Sequence, residues 1–330
     1  MANTIQPTKK LNASADQDRS TARVSSFVDS ETILRITNLE LRARVIVEGF
    51  MSGMHRSPYH GFSVAFSDYR QYSPGDDLRH LDWKLLARQD RLYIKRFEDE
   101  TNLRCFLLVD LSRSMGFGTT GFTKAEYAKT TAATLAYFLS LQRDAVGIVT
   151  FDEQISDYLP PRFRPGHLRR LMLCLERSTG GTSTSLSRPL EHIAETLTKR
   201  GLVILISDLL APTEELTRQL GFLRSKGHDV ILMRILDPAE LKFSFESSAM
   251  FQDLETGKEI YVDPETVAAD YKKRFAEHAA TIKHGCDELG IDLFEITTDE
   301  PLEKSLFNLM QARAQRGRQF SRGKSTGGRK

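Results

Sequence analysis

The run Leu202-Val-Ile-Leu-Ile206-Ser-Asp208 constrains this chain more than any other feature. Its apolar residues do not alternate with polar ones, so a strand built from them needs apolar cover on both faces. A parallel sheet flanked by helices supplies that cover. The run is far shorter than the ~20 residues of a membrane-spanning helix. Similar segments occur at Leu103–Asp110, Ala145–Phe151, Val230–Leu236 and Ile291–Thr297. Between and after them, helical periodicity covers Lys124–Leu141, His167–Arg177, Leu186–Lys199, Thr213–Lys226, Pro264–Leu289 and Leu302–Gln315. Strands alternating with helices predict an α/β fold, a doubly wound and mostly parallel Rossmann-like sheet.

The flanks read differently. Residues 1–29 are polar and predict disorder. A helix is expected from Glu31 to Glu48, capped by Ser30. The segment 30–100 predicts an N-terminal α+β extension to a main domain at 101–312. In that extension, Gly61–Phe66 and Leu92–Glu98 alternate as strands do, and Ser73-Pro-Gly-Asp76 has the residues of a type II turn. Asp76 can cap a helix running through Leu78, Leu81, Leu85 and Leu86. A break near 240–262 contains Asp253-Leu-Glu-Thr-Gly257, which suggests an inserted hairpin turning at Gly257. The last residues, 313–330, form a basic tail without a carboxylate, read as solvated and disordered, with polyanion binding as the sharper alternative.

Composition excludes little but points one way. Hydrophobic residues make up 40% of the chain and charged ones 27%, with a net charge of +2. Neither nucleic acid nor an anionic membrane is suggested by so small a charge. Cys105, Cys174 and Cys286 are scattered among apolar neighbours and read as reduced core thiols. The polar start lacks a secretory apolar core, so a cytoplasmic location is expected. The segment Gly116–Lys124 has two glycines at phosphate-loop spacing, but Phe122 and Thr123 displace Lys124 from the position that such a loop needs. No HExxH pattern occurs; Gly116-Phe-Gly118-Thr-Thr-Gly121 has the GxGxxG spacing, and Gly323-Lys-Ser325-Thr-Gly327, in the basic tail, has that of GxSxG.

Chemistry is expected where strands end. Asp110, Ser112 and Ser114 follow the strand Leu103–Val109 at alternate positions, and such side chains point the same way while the chain stays extended. Gly180-Gly181-Thr182-Ser-Thr184 precedes a helix, and Asp208 closes another buried strand. In a sheet whose first and fourth strands are neighbours, these loops meet over the triplet. Carboxylates with hydroxyls form a hard-oxygen set suited to Mg²⁺ first, and by the same chemistry to Mn²⁺ or Ca²⁺. Two carboxylates leave such a cation open to an external Asp or Glu. Ser and Thr after strands also serve as plain helix caps; Thr182 and Asp208 favour the metal reading.

Asp110, Ser112, Ser114, Thr182 and Asp208 resemble the metal-ion-dependent adhesion site of von Willebrand factor A-type domains. That resemblance implies a von Willebrand factor A-like fold. A second resemblance covers roughly residues 37–313. Ser67-Asp-Tyr-Arg70-Gln-Tyr72-Ser-Pro-Gly-Asp76-Asp77-Leu-Arg79-His-Leu-Asp82-Trp83, then Ala87-Arg88, Phe97-Glu98 and the Asp110 triplet, look like domain of unknown function family 58, DUF58. So does Asp253–Gly257. It implies a MoxR-type AAA+ ATPase as partner, an unknown client and a chaperone-like or complex-maturation role. Tyr72, Asp76, Asp77, Arg79, Asp82, Trp83 and Arg88 are the candidate family-specific interaction surface, with a turn and a structural Arg–Asp pair as the plainer reading.

The function expected is therefore a metal-dependent protein-interaction module without catalytic residues. Two rivals have different signatures. A metal-dependent hydrolase would need a general base near Asp110, and none is evident. A metal-free scaffold would bind polyanions through its tail, with steep salt dependence.

Overall fold

The computed structural model describes residues 30–56, 69–71, 93–95, 103–177, 187–197, 199–243, 249–252 and 259–312. Its main sheet has six strands: β3 (Arg104–Asp110), β4 (Ala145–Phe151), β5 (Ile155–Arg162), β6 (Leu202–Ser207), β7 (Asp229–Leu236) and β10 (Asp292–Thr297). They lie in the order β10-β7-β6-β3-β4-β5. All neighbours are parallel except β4 and β5. β3 and β6 are neighbours, as the convergence of their end loops requires, and β6 is fourth in this sheet because β5 adds a strand that was not expected.

The continuous apolar runs are explained by two cores. Cys105, Leu107 and Val109 of β3, and Leu202, Ile204 and Ile206 of β6, enter one core. Phe106, Leu108, Val203 and Leu205 enter the other. The first core is closed by α2 (Leu39–Arg56), α3 (Lys124–Leu141), α4 (His167–Glu176) and α9 (303–312). Covering the second are α5 (Ser187–Thr196), α6 (Thr213–Ser225) and α8 (Pro264–Leu289). A sheet of this order with one antiparallel edge strand and helices on both faces is a von Willebrand factor A-like, Rossmann-like fold. The three cysteines are free and buried.

Several expectations need adjustment. The single helix from Glu31 to Glu48 is two: α1 (Ser30–Leu34) and α2, parted at residues 35–38. Arg42 in α2 bonds back to the carbonyls of Leu34 and Ile36, which fixes the bend. β5 lies where no strand was expected, because Pro160-Pro161 reads as a breaker. Proline is tolerated on an edge strand, where one side of the ladder needs no donor. Gly147 in β4 makes room for it: a Cβ there would meet Pro161 N at 2.6 Å and Leu159 O at 2.7 Å. In the N-terminal extension, β1 (Tyr69–Gln71) pairs antiparallel with β2 (Tyr93–Lys95). The expected strand Gly61–Phe66, the turn at 73–76 and the helix through Leu86 lie outside the described residues. β8 (Ala249–Gln252) pairs antiparallel with β9 (Glu259–Val262), as the expected hairpin requires; its turn at Gly257 lies outside the described residues. A short helix, α7 (Pro238–Lys242), follows β7. None of the described helices is long and apolar enough to cross a membrane.

Candidate functional site

Asp110 is the last residue of β3, one step beyond the paired Val109 and Ile206. That step brings it level with Ser207, whose hydroxyl donates to Asp110 Oδ2 at 2.6 Å. The Ser112 backbone N–H donates to Asp110 Oδ1 at 2.9 Å. Ser112 Oγ and Ser114 Oγ lie 3.2 Å apart, at the entrance to the 3-10 turn Arg113–Gly116. Asp208 follows β6 directly and is fully buried, as is Asp110. Leu209, the next residue, adopts φ 56° and donates its N–H to Ser207 Oγ at 3.0 Å. A leucine in the left-handed region is strained, and such strain is concentrated at working sites.

Burial and the charge of Asp208 together push the Asp110 carboxyl up to about 6, against the hydrogen bonds from Ser207 and Ser112 that pull it down. Asp208 pairs with the Lys124 ammonium at 2.9 Å, so added positive charge would chiefly favour Asp110, which is held by hydrogen bonds. The two serine hydroxyls lie at nearly the spacing of adjacent oxygens around a small octahedral cation, about 3 Å for bonds of 2.0–2.1 Å. The residues present therefore fit a hard divalent cation. Among the described residues no group of three or more His, Cys, Asp or Glu side chains could cage a metal. The set is instead two acids with neutral hydroxyls. Thr182 lies outside the described residues, as do Tyr72, Asp76, Asp77, Arg79, Asp82, Trp83 and Arg88.

Part of the surrounding charge system was not anticipated. Lys124, fully buried, places its ammonium 2.9 Å from Asp208 Oδ2 and 2.5 Å from Glu240 Oε1. Burial opposes that charge, but Asp208 and Glu240 outweigh it and the lysine pKa is raised. Thr123 holds α3 in a capping box with Glu126, so Lys124 occupies the first helical position. A cation there works against the helix dipole and relies on its two carboxylates. Glu240 also accepts from the Asp237 backbone N–H, closing a second capping box on α7. Asp237 receives Thr119 N–H at 2.8 Å and Thr119 Oγ1 at 2.5 Å, which ties the glycine-rich loop to the end of β7. Arg234, buried inside the apolar run of β7, donates Nε–H to the Asp208 carbonyl at 3.2 Å and faces the Phe275 ring at 5.0 Å. Only Arg234 carried a warning in sequence, as a charge inside an apolar strand.

The family match decides what this rim belongs to. The model for "Protein of unknown function DUF58" matches residues 68–282. The chain belongs to the DUF58 family. The uncharacterized protein Rv1480 of Mycobacterium tuberculosis is 25% identical over 276 residues, covering 82% of this DUF58 chain and 86% of that protein. Bacillus subtilis YeaD, also uncharacterized, is 41% identical over 70 residues, 21% of this chain and 17% of its own. Among solved structures, an aerotolerance-related membrane protein from Bacteroides fragilis covers 64% of this chain and 99% of its own, at 15% identity and TM-score 0.44. The SpRpn10 VWA domain covers 62% and 93%, at 12% identity and TM-score 0.35.

Proposed function

We propose that this DUF58 protein is a metal-ion-dependent protein-interaction module. Asp110, Ser112, Ser114 and Asp208, with Thr182 from the neighbouring loop, would hold Mg²⁺ or a similar hard cation. The observation that carries this reading is the pair of fully buried acids at the ends of adjacent strands, beside two hydroxyls 3.2 Å apart. When bound, the cation supplies an open coordination position for a partner's Asp or Glu carboxylate. The chain's own contribution is positioning: Ser207 and the Ser112 N–H fix the Asp110 carboxylate, and Lys124 fixes that of Asp208. The partner assigned, on the family resemblance, is a MoxR-type AAA+ ATPase, with this chain acting as its adaptor or co-chaperone.

The test combines cation binding with partner capture. Mn²⁺ titration followed by electron paramagnetic resonance should show one bound ion in the wild type and none in Asp110→Ala. Capture of the ATPase should fail with chelator and with that variant. Capture that is indifferent to both changes rules the mechanism out.

A further inference from the structure

The opposite edge of the sheet carries a second charged surface, built against the local electrostatic rule. β5 runs antiparallel to its neighbours, so its end, Arg162, lies beside Val146 at the start of β4. α4 begins there too: His167 Nε2 donates to the Val146 carbonyl at 2.8 Å. This is the edge away from Asp110 and Asp208. Helix starts favour acidic residues, because the dipole is positive there. Several helices follow the rule, with Glu126 in the first turn of α3, Glu214 and Glu215 in that of α6, and Glu240 in that of α7, whereas α5, like α4, has no acid there.

α4 breaks it. Its first turn has no acid, and its N-cap is Gly166, which has no capping side chain. Around that start stand Arg162, Arg164, Arg169 and Arg170, all exposed. Asp157, the acid on β5, is taken by Arg177 at the far end of the helix at 2.7 Å. Phe163, between two of the arginines, is 57% exposed. The cluster is spatial as well as sequential. Burial first, and then the charges of Arg164, Arg170 and Arg162, lower the pKa of His167. The His167 ring is buried, and its Nδ1 has no hydrogen-bond partner. A cationic cluster at the positive end of a helix is unfavourable by itself, and such local inconsistencies mark functional surfaces.

We infer that Arg162, Arg164, Arg169 and Arg170, with Phe163 and the uncapped start of α4, form a docking surface for an acidic segment of a partner protein. The guanidinium fork matches carboxylates in bidentate fashion, and the open helix start adds backbone N–H donors. Phe163 offers apolar contact to the same segment. A protein ligand is favoured over nucleic acid because the whole chain has a net charge of only +2 and a pI near 8.3. A nucleic-acid-binding domain usually exceeds a pI of about 9. The surface is independent of the metal rim, so a partner can be held at both edges at once.

The test is fluorescence anisotropy with a fluorescein-labelled octaglutamate peptide and the full chain, so that the basic tail contributes equally throughout. The triple variant Arg162→Ala/Arg164→Ala/Arg170→Ala should bind about tenfold or more weakly and with a shallower salt dependence. Replacing the same three positions by lysine should recover only part of the loss, since the charge returns without the fork. With EDTA present throughout, so that no cation offers a second carboxylate site, Arg218→Ala on the exposed side of α6 should bind the peptide as the wild type does. Equal affinity in the wild type and the triple variant overturns the proposal, as does absence of binding in the wild type. Tighter binding of an oligothymidine of equal charge overturns the choice of ligand.

Discussion

The ammonium of Lys124 and the carboxylate of Asp208 meet at 2.9 Å with neither side chain exposed, although 84 residues separate them in sequence. An ion pair this buried is costly to form and costlier to break, because the survivor is left as an uncompensated charge. Here two survivors would remain, since Glu240 shares the same lysine. Lys124→Met should therefore lose on the order of 3–5 kcal/mol of stability. Urea denaturation measures this, and added Mn²⁺ should restore part of the loss by supplying the missing positive charge. A loss below about 1 kcal/mol would mean that the pair is not formed as described.

Asp110 is predicted to stabilise the fold less than its uncharged counterpart. Its folded pKa lies near 6, above the ordinary 3.8, through burial and the charge of Asp208. A carboxyl raised in the folded state destabilises it above that pKa, and the penalty vanishes below the unfolded value. Asp110→Asn should consequently be more stable than the wild type by roughly 1–3 kcal/mol at pH 8 without cation. The advantage should shrink as pH falls through 6 and be gone near pH 4. Thermal melts across that range read the difference, and a gain that grows on acidification would contradict it.

Ser207→Ala removes the hydroxyl that donates to Asp110 and accepts the Leu209 N–H. Hydrogen bonds to charged groups contribute about 1.5–3 kcal/mol, and this change takes the donor from Asp110 Oδ2 and the acceptor from the Leu209 N–H, while Ser112 still holds Asp110 Oδ1. A stability loss of about 2 kcal/mol is expected, with Mn²⁺ affinity lowered because Asp110 is less fixed. Denaturation and Mn²⁺ titration check the two effects separately.

The fold was legible where one physical condition dominated. Leu202–Ile206 could only be a strand covered on both faces, and the spacing of Lys124–Leu141 and Pro264–Leu289 matches the helices residue for residue. β5 was missed because an edge strand with Pro160 and Pro161 has neither an apolar run nor clean alternation. The two acids were legible because each ends a buried strand. Lys124 was not, since Asp208 and Glu240 lie 84 and 116 residues away and nothing local announces either. The arginines at 162–170 are plain in sequence, but only the reversal of β5 puts them at the edge opposite the acids.

Asp237 gives the last prediction. Its carboxylate gathers the Thr119 N–H, the Thr119 hydroxyl and the Ala239 N–H, and it is fully buried. The loop between the 3-10 turn and α3 is thereby anchored to the end of β7, on the same rim as Asp110 and Asp208. Asp237→Ala takes the acceptor from these donors and from the Thr298 hydroxyl, at a cost of about 2–4 kcal/mol by loss of charged hydrogen bonds and a helix cap. The backbone N–H of residue 237 that holds Glu240 Oε2 is kept in this variant, so the pair of Glu240 with Lys124 should persist. Hydrogen exchange should accelerate in the peptides covering 117–123 and 238–242 together, while β6 and β7 stay protected. Faster exchange in only one of the two segments would show that Asp237 does not couple them.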